Sequence, residues 1–340
     1  MSRAVRIHEP VFTCTVPLKP KRKAASTAGG QSPSSTKTKG EESMLLKNTP
    51  LSTAALKHFG LPRSPFIDDV QSRADVFQSM GTRYARAALL DAAEHHGFIA
   101  LIGESGAGKT TLVEELQERI NDDGRDILLI RPYVLGMEEN DRKGKTLKAA
   151  QIAEAVIYAL DPQATLRQSP QARFRQMHEM LRASRKAGRR HLLVIDEAHG
   201  LPVATLKHLK RFLELKDGLR RLLGIALVAQ PELDTRLEST NPEVREISQR
   251  CEIVHLGPLD SELEAYLAHK FARFELKLEQ VFEKDAFDAM RQRLIKVPRG
   301  TKMAESACWP LAVHNLVCHA MNAAAAYGWP KVDAQCVLGA

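Results

Sequence analysis

Aromatic residues are scarce in this chain of 340 residues, with Phe, Tyr and Trp together at 5%. Recognition by stacking bases on aromatic platforms is therefore a poor expectation. Five cysteines (Cys14, Cys251, Cys308, Cys318 and Cys336) are odd in number and scattered, with no Cys-x-x-Cys pair. They argue against a disulfide or zinc framework and read as free thiols in a reducing compartment. No apolar run approaches the roughly 20 residues that a membrane-spanning helix needs, so no membrane partner is expected. The N-terminus has no apolar signal-peptide core, which points to the cytoplasm. No internal repeat is visible.

What is present is an ordinary hydrophobic content of 44% and a net charge of +8. The length suffices for two packed units and a tail. A basic balance favours a polyanionic partner, most often nucleic acid, without requiring one.

Residues 1–45 are rich in Ser, Thr, Pro, Gly and Lys and include Lys19-Pro-Lys-Arg-Lys23. Too few apolar side chains remain to pack, so a disordered basic tail is expected. It could graze phosphates, serve as a solubilising extension, or precede a true start at Met44. Residues 46–95 read as an N-terminal helical adapter packed on the core, with one helix over 51–59 stopped by Gly60 and a longer one through Tyr84, Ala87, Leu90 and Ala93. Residues 96–258 alternate apolar strands (98–102, 127–131, 191–195, 222–229) with amphipathic helices (near 111–120, 146–160, 171–187, 203–215). That alternation predicts an α/β core, a parallel sheet sandwiched by helices. Residues 259–340 look all-helical, a second small domain containing the alanine-rich run 320–327.

The chemistry concentrates in Gly103-Glu-Ser-Gly-Ala-Gly-Lys-Thr110, a complete G-x-x-x-x-G-K-[ST] phosphate loop. The strand 98–102 enters it and a helix leaves it, which is the context such a loop needs. Backbone N–H groups of Gly103, Ser105, Gly106, Ala107, Gly108, Lys109, Thr110 and Thr111 can wrap phosphates at a helix N-terminus. Lys109 adds a point charge and the Thr110 hydroxyl a ligand for Mg²⁺. A nucleoside triphosphate with Mg²⁺ is the expected cofactor.

The strand ending in Asp196-Glu197 follows about 90 residues later. Asp196 can hold the Mg²⁺ shell and Glu197 can polarise an attacking water. The string Asp196-Glu-Ala-His199 also spells a helicase box. Gln230 ends the next strand, where ligands of such sheets sit, or it simply starts a loop before Pro231. Arg250, with Arg245 second, is placed to reach a neighbouring subunit's γ-phosphate; surface salt-bridging is the plain alternative. Arg142, Lys143, Lys145 and Lys148 surround Gly144 in a cationic loop suited to a phosphate backbone. Lys207, Lys210 and Arg211, with Arg220 and Arg221, form a second cluster that serves DNA contact or only solvates a helix face.

With these residues in hand, the chain resembles an AAA+ ATPase and, within that class, is similar to the target-DNA-binding transposition ATPases (B proteins) of Mu-like transposing phages. The likeness runs from about residue 50 to the C-terminus. It rests on Leu56-Lys-His-Phe-Gly-Leu61 with Pro65-Phe66, the phosphate loop, Lys143-Gly-Lys-Thr-Leu-Lys148, Ile195-Asp-Glu-Ala-His199, Gln230-Pro-Glu-Leu233, Asn241-Pro-Glu-Val-Arg-Glu246 and Gln249-Arg-Cys251. The resemblance implies an AAA+ P-loop NTPase core with a small helical lid, and an ATP- and Mg²⁺-dependent homo-oligomer, a filament or ring. Such an assembly would coat double-stranded DNA in a bacterial host cytoplasm and deliver it to a DDE-type transposase. It carries nucleotide and Mg²⁺ onto Lys109 and Thr110, the second acidic motif onto Asp196 and Glu197, and the first sensor onto Gln230. Related secretion-type ATPases carry Gly-x-Pro-Arg-x-x-Asn at the lid helix; here Leu311 stands at the arginine's place, so the second sensor is missing. A secretion-type ATPase without a DNA partner is the alternative reading.

Overall fold

The apolar run Phe98-Ile-Ala-Leu-Ile102 forms β1, with every residue buried. Around it the computed structural model builds a parallel sheet from β2 (Ile127–Ile130), β3 (Arg190–Ile195), β6 (Gly224–Ala229) and β7 (Glu252–His255), in the order β2-β3-β6-β1-β7. Ile99 pairs with Ala226 on one side and Glu252 on the other. The structure describes residues 47–67, 70–132, 147–238, 242–296 and 304–340, apart from the side chains of Pro242 and Glu243. All of them belong to one compact unit, Ser43–Ala340. The tail 1–45 and the loop residues Arg142, Lys143 and Lys145 lie outside the described residues.

Strand periodicity sorts the side chains onto two faces. Phe98, Ala100, Ile102, Leu193, Ile195, Ile225 and Leu227 join one core with α4 (Ala149–Leu160), α5 (Pro170–Lys186) and α6 (Val203–Leu213). Ile99, Leu101, Leu192, Val194, Ala226 and Val228 join the other, beneath α2 (Met80–His95) and α3 (Lys109–Asp122). Each fully buried aliphatic side chain contributes about 1.5–3 kcal/mol. Helix starts follow the usual chemistry: Ser79 caps α2 by accepting from Thr82 N–H at 3.0 Å, and Ser169 caps α5 ahead of Pro170. At Gly224 a Cβ would come within 2.7 Å of Ala92 O, so only glycine lets α2 lie this close to β6.

A third core lies in the C-terminal part. Here α9 (Leu263–Ala272), α10 (Leu278–Val281), α11 (Lys284–Arg293), α12 (Pro310–Tyr327) and α13 (Ala334–Leu338) enclose Phe271, Met290, Leu316 and Met321. The stretch expected as one adapter divides between two cores. Leu51, Ala55, Phe59 and Leu61, around α1 (Thr53–His58), bury with the C-terminal helices, while α2 covers the sheet. Two further expectations are corrected. The stretch after Arg250 contains a fifth sheet strand, β7, an edge strand with only Val254 buried. The C-terminal part is not wholly helical, because β8 (Ile295–Lys296) and β9 (Glu305–Ser306) form an antiparallel pair. Another short pair, β4 (Lys216–Asp217) and β5 (Arg220–Arg221), precedes β6. The remaining helices, α7 (Glu232–Leu237) and α8 (Pro242–Ser248), lead into β7.

Candidate nucleotide site

The loop between β1 and α3 turns on two glycines in the left-handed region, Gly106 (φ +76°) and Gly108 (φ +89°). Other residues would be strained at both. Gly108 caps α3, whose first N–H groups open toward a cavity of about 540 Å³. Lys109 folds back over the loop, its Nζ donating to Gly103 O (2.7 Å) and Glu104 O (2.9 Å). Burial lowers its pKa, and the nearby carboxylates Glu197, Asp196, Glu104 and Glu232 oppose that shift. A buried ammonium satisfied only by carbonyls, with helix N–H groups beside it, fits a polyphosphate. Thr110 and Asp196 both line the cavity and could hold Mg²⁺ there. No cluster of three or more His, Cys, Asp or Glu suited to a metal occurs among the described residues.

Opposite the loop, Asp196 leaves β3 half-buried and accepts from Glu197 N–H at 2.9 Å. Glu197 itself is left-handed (φ +50°), an uncommon backbone for glutamate that projects its carboxylate into the cavity. Glu197 Oε2 lies 3.4 Å from Gln230 Nε2 and 3.3 Å from His199 Nδ1. The backbone N–H of Gln230 also points at His199 Nδ1, 3.4 Å away. In the sequence His199 belongs to the Asp-Glu-Ala-His string without a role of its own; the structure makes it the third member of a Glu197–His199–Gln230 group. Its position two residues past the acidic pair was the available signal. The helicase reading meets a single parallel sheet among the described residues, followed by helices rather than a second motor.

The C-terminal helices close the cavity from the other side. Leu311 N–H donates to Gly106 O at 3.3 Å, and a Cβ placed on Gly106 would lie 2.4 Å from Leu311 Cβ. Leu311 therefore presses directly on the loop's apex. Lys296 Nζ reaches Glu104 Oε1 at 3.2 Å. His314 stacks on Phe66 (4.5 Å, 30°) and lies parallel to Tyr266 (5.7 Å, 14°), sharing a 2.5 Å hydrogen bond with the Tyr266 hydroxyl. Phe66, Tyr266 and His314 all line the cavity. No periodicity marks this aromatic group in the sequence.

Ser105, Gly106, Ala107, Gly108, Lys109, Thr110, Thr111, Asp196, Glu197 and Gln230 all line this cavity, and Gly103 anchors Lys109. Arg245 and Arg250 do not line it. Arg250 is paired with Glu214 at 2.8 Å, and Lys210 with Glu246. The Lys210 partnership holds the Glu246 carboxyl below its ordinary range. Lys210 and Arg250 are thus engaged by carboxylates that link α6 to α8 and its exit, the salt-bridged alternative held open for Arg250. Arg211 is exposed, Lys207 half-buried, and exposed Lys148 precedes α4, its backbone N–H donating to Gln151 Oε1 at 2.8 Å. Burial pushes the thiols of Cys251, Cys308 and Cys318 up to about 12, which keeps them in the unreactive protonated form. No described helix is long and apolar enough to cross a membrane.

Residues 92–237 match the family model of the AAA domain. General secretion pathway protein A of Aeromonas hydrophila is 28% identical over 209 residues, which cover 60% of this chain and 35% of that protein. The chain thus spans about a third of that relative's length. Among solved structures, Drosophila ORC bound to DNA superposes with a TM-score of 0.55 at 11% identity, covering 93% of this chain and 69% of that one. Cdc6p of Pyrobaculum aerophilum gives 0.47 at 14%, covering 84% and 69%. With its strand order, glycine-turned loop and acidic strand end, the chain has the AAA+ P-loop fold and carries an AAA domain over residues 92–237.

Proposed function

We propose that this chain is an ATPase that assembles as a homo-oligomer on duplex DNA and, as its resemblance to the Mu-like B proteins implies, delivers that DNA to a transposase. The observation that carries the catalytic part is the convergence of Lys109, Asp196, Glu197 and Gln230 on one cavity closed by the C-terminal helices. Bound ATP with Mg²⁺ supplies the reactive γ-phosphoryl group and its charge neutralisation. Lys109 and the α3 N–H groups hold the phosphates, and Thr110 and Asp196 would hold the metal. Glu197 Oε2 is the base that takes a proton from water, kept in place by Gln230 Nε2 at 3.4 Å. Leu311 and the aromatic wall exclude solvent. Arg250, and Arg245 behind it, act on a neighbouring subunit's site, for which Arg250 must exchange its Glu214 partner.

The DNA partner is supported by the net charge of +8 and by Lys148, Lys207 and Arg211. The Drosophila complex that shares the fold is itself bound to DNA. Filter binding of linear duplex across a salt series, with and without ATP and Mg²⁺, tests the reading. Nucleotide-dependent binding that weakens steeply with salt is expected; no duplex affinity at low salt refutes it. The likeness to General secretion pathway protein A favours a second reading, an ATPase with an envelope partner. Co-sedimentation with peptidoglycan or membranes, in place of duplex binding, would establish that one.

A further inference from the structure

At the N-terminal edge of the sheet, opposite the cavity, His96 ends α2 and is 4% exposed. Its Nε2 and the Nε of Arg185 are both buried without a hydrogen-bond partner. Arg221 Nη1 donates to His96 O at 3.4 Å. Neighbouring His191 is satisfied, bonded to Leu222 O (2.9 Å) and Ser184 Oγ (2.8 Å). Burial, together with Arg185, His191, Arg190 and Arg221, lowers the pKa of His96 to about 4. Cations thus converge on one buried imidazole.

The β4–β5 hairpin docks on this same edge. His178 Nε2 bonds Lys216 O at 3.0 Å, and Arg182 pairs with Asp217 at 2.8 Å. Nearby acids are consumed: Asp217 by Arg182, and Asp126 by Arg189 at 2.8 Å. Lys186, Arg190, Lys216 and Arg220 have no ion-pair partner among the described residues. The C-terminal dipole of α5 accounts for Arg185 and Lys186. It does not account for Arg190, Lys216, Arg220 or Arg221, which stand on strands. At the hairpin tip Leu219 is 98% exposed and supports no core.

We infer that this edge (the end of α5, the start of β3 and the β4–β5 hairpin) is a phosphate-backbone contact surface for duplex DNA, one that joins Arg220 and Arg221 to Lys186, Arg190 and Lys216. The inference rests on the DNA reading above. Cations spread over three elements suit a row of phosphates better than a single anion, and repulsion among them is relieved when phosphates replace the missing carboxylates.

The test uses the full chain with ATP and Mg²⁺, comparing wild type with K186Q/K216Q/R220Q and with the charge-keeping K186R/K216R/R220K. These residues are exposed and remote from the nucleotide cavity, so basal turnover should not change. The neutralised variant should lose about two to three units of salt slope, with duplex affinity at 0.1 M salt falling roughly a hundredfold, while the charge-keeping variant stays like wild type. A wild-type slope in the neutralised variant overturns the inference and leaves the DNA reading standing. A wild-type chain that ignores duplex sinks both. Poly-glutamate bound in duplex's place, with affinity lost in the neutralised variant, would reassign the edge to an acidic protein partner.

Discussion

One wall of the cavity is built from consecutive residues, Ser105 to Leu112, whereas the wall opposite draws Phe66, Tyr266, Leu311 and His314 from three distant stretches. The first works largely through backbone: two left-handed glycines, the N–H groups of α3 and one lysine bonded to carbonyls. The second works through side-chain shape, a stacked trio of rings and a leucine against the loop. Chemistry written into local backbone must be contiguous, so it leaves a motif. A wall assembled by tertiary packing leaves none.

The contrast breaks most sharply at the groups that would meet the phosphates. Glu197→Gln should retain ATP binding while lowering kcat by about 10²–10⁴, the range for a general base. Lys109→Ala should lose binding itself, because the cation bonded to the loop's own carbonyls is gone. Equilibrium binding of a fluorescent ATP analogue beside phosphate release separates the two effects. Full turnover in Glu197→Gln would move the base role elsewhere, with His199 next in line at 3.3 Å.

A smaller effect is expected where the walls touch. Gly106→Ala combines a strained φ of +76° with a Cβ only 2.4 Å from Leu311 Cβ. The strain alone is on the order of 1 kcal/mol and the overlap adds to it. Nucleotide affinity should drop by about tenfold or more, and a second change, Leu311→Gly, which removes the overlapping Cβ, should restore part of it. If Gly106→Ala and the double variant bind equally poorly, the leucine does not press on the loop in solution and the two walls act independently.

The same distinction explains what was legible beforehand. The continuous apolar runs of β1, β3 and β6, buried on both faces, announced a parallel sheet, and Gly-Lys-Thr at the end of one announced the loop. β7 was missed because Glu252-Ile-Val-His255 has neither a continuous apolar run nor an alternation and buries only Val254. β8 and β9 escaped because two-residue strands carry no period. The helices α1 and α2 both read as amphipathic, yet each joins a different core: α2 packs on β1 and α3 close by, whereas the partners of α1 lie some two hundred residues away. The partners of Arg250 and Lys210 could not be named from sequence because their carboxylates, Glu214 and Glu246, each lie 36 residues away.

The smallest expected effect bears on whether the aromatic wall recognises a base or only docks the helices. Phe66 stacks on His314 at 4.5 Å but also packs edge-on against buried Phe271 at 6.0 Å, so it has a foot in each role. A ring contact of this kind is worth about 0.5–1.5 kcal/mol, a two- to tenfold change in Kd. Phe66→Ala should therefore weaken ATP by that factor and leave tripolyphosphate, which has no base, bound as in wild type. His314→Ala should behave the same way, since it removes the ring between Phe66 and Tyr266. Titrating both ligands against both variants isolates the base from the phosphates, which the loop wall holds on its own. If tripolyphosphate weakens as much as ATP, the rings serve only to seat the helices over the loop, and the second wall acts through Leu311 alone.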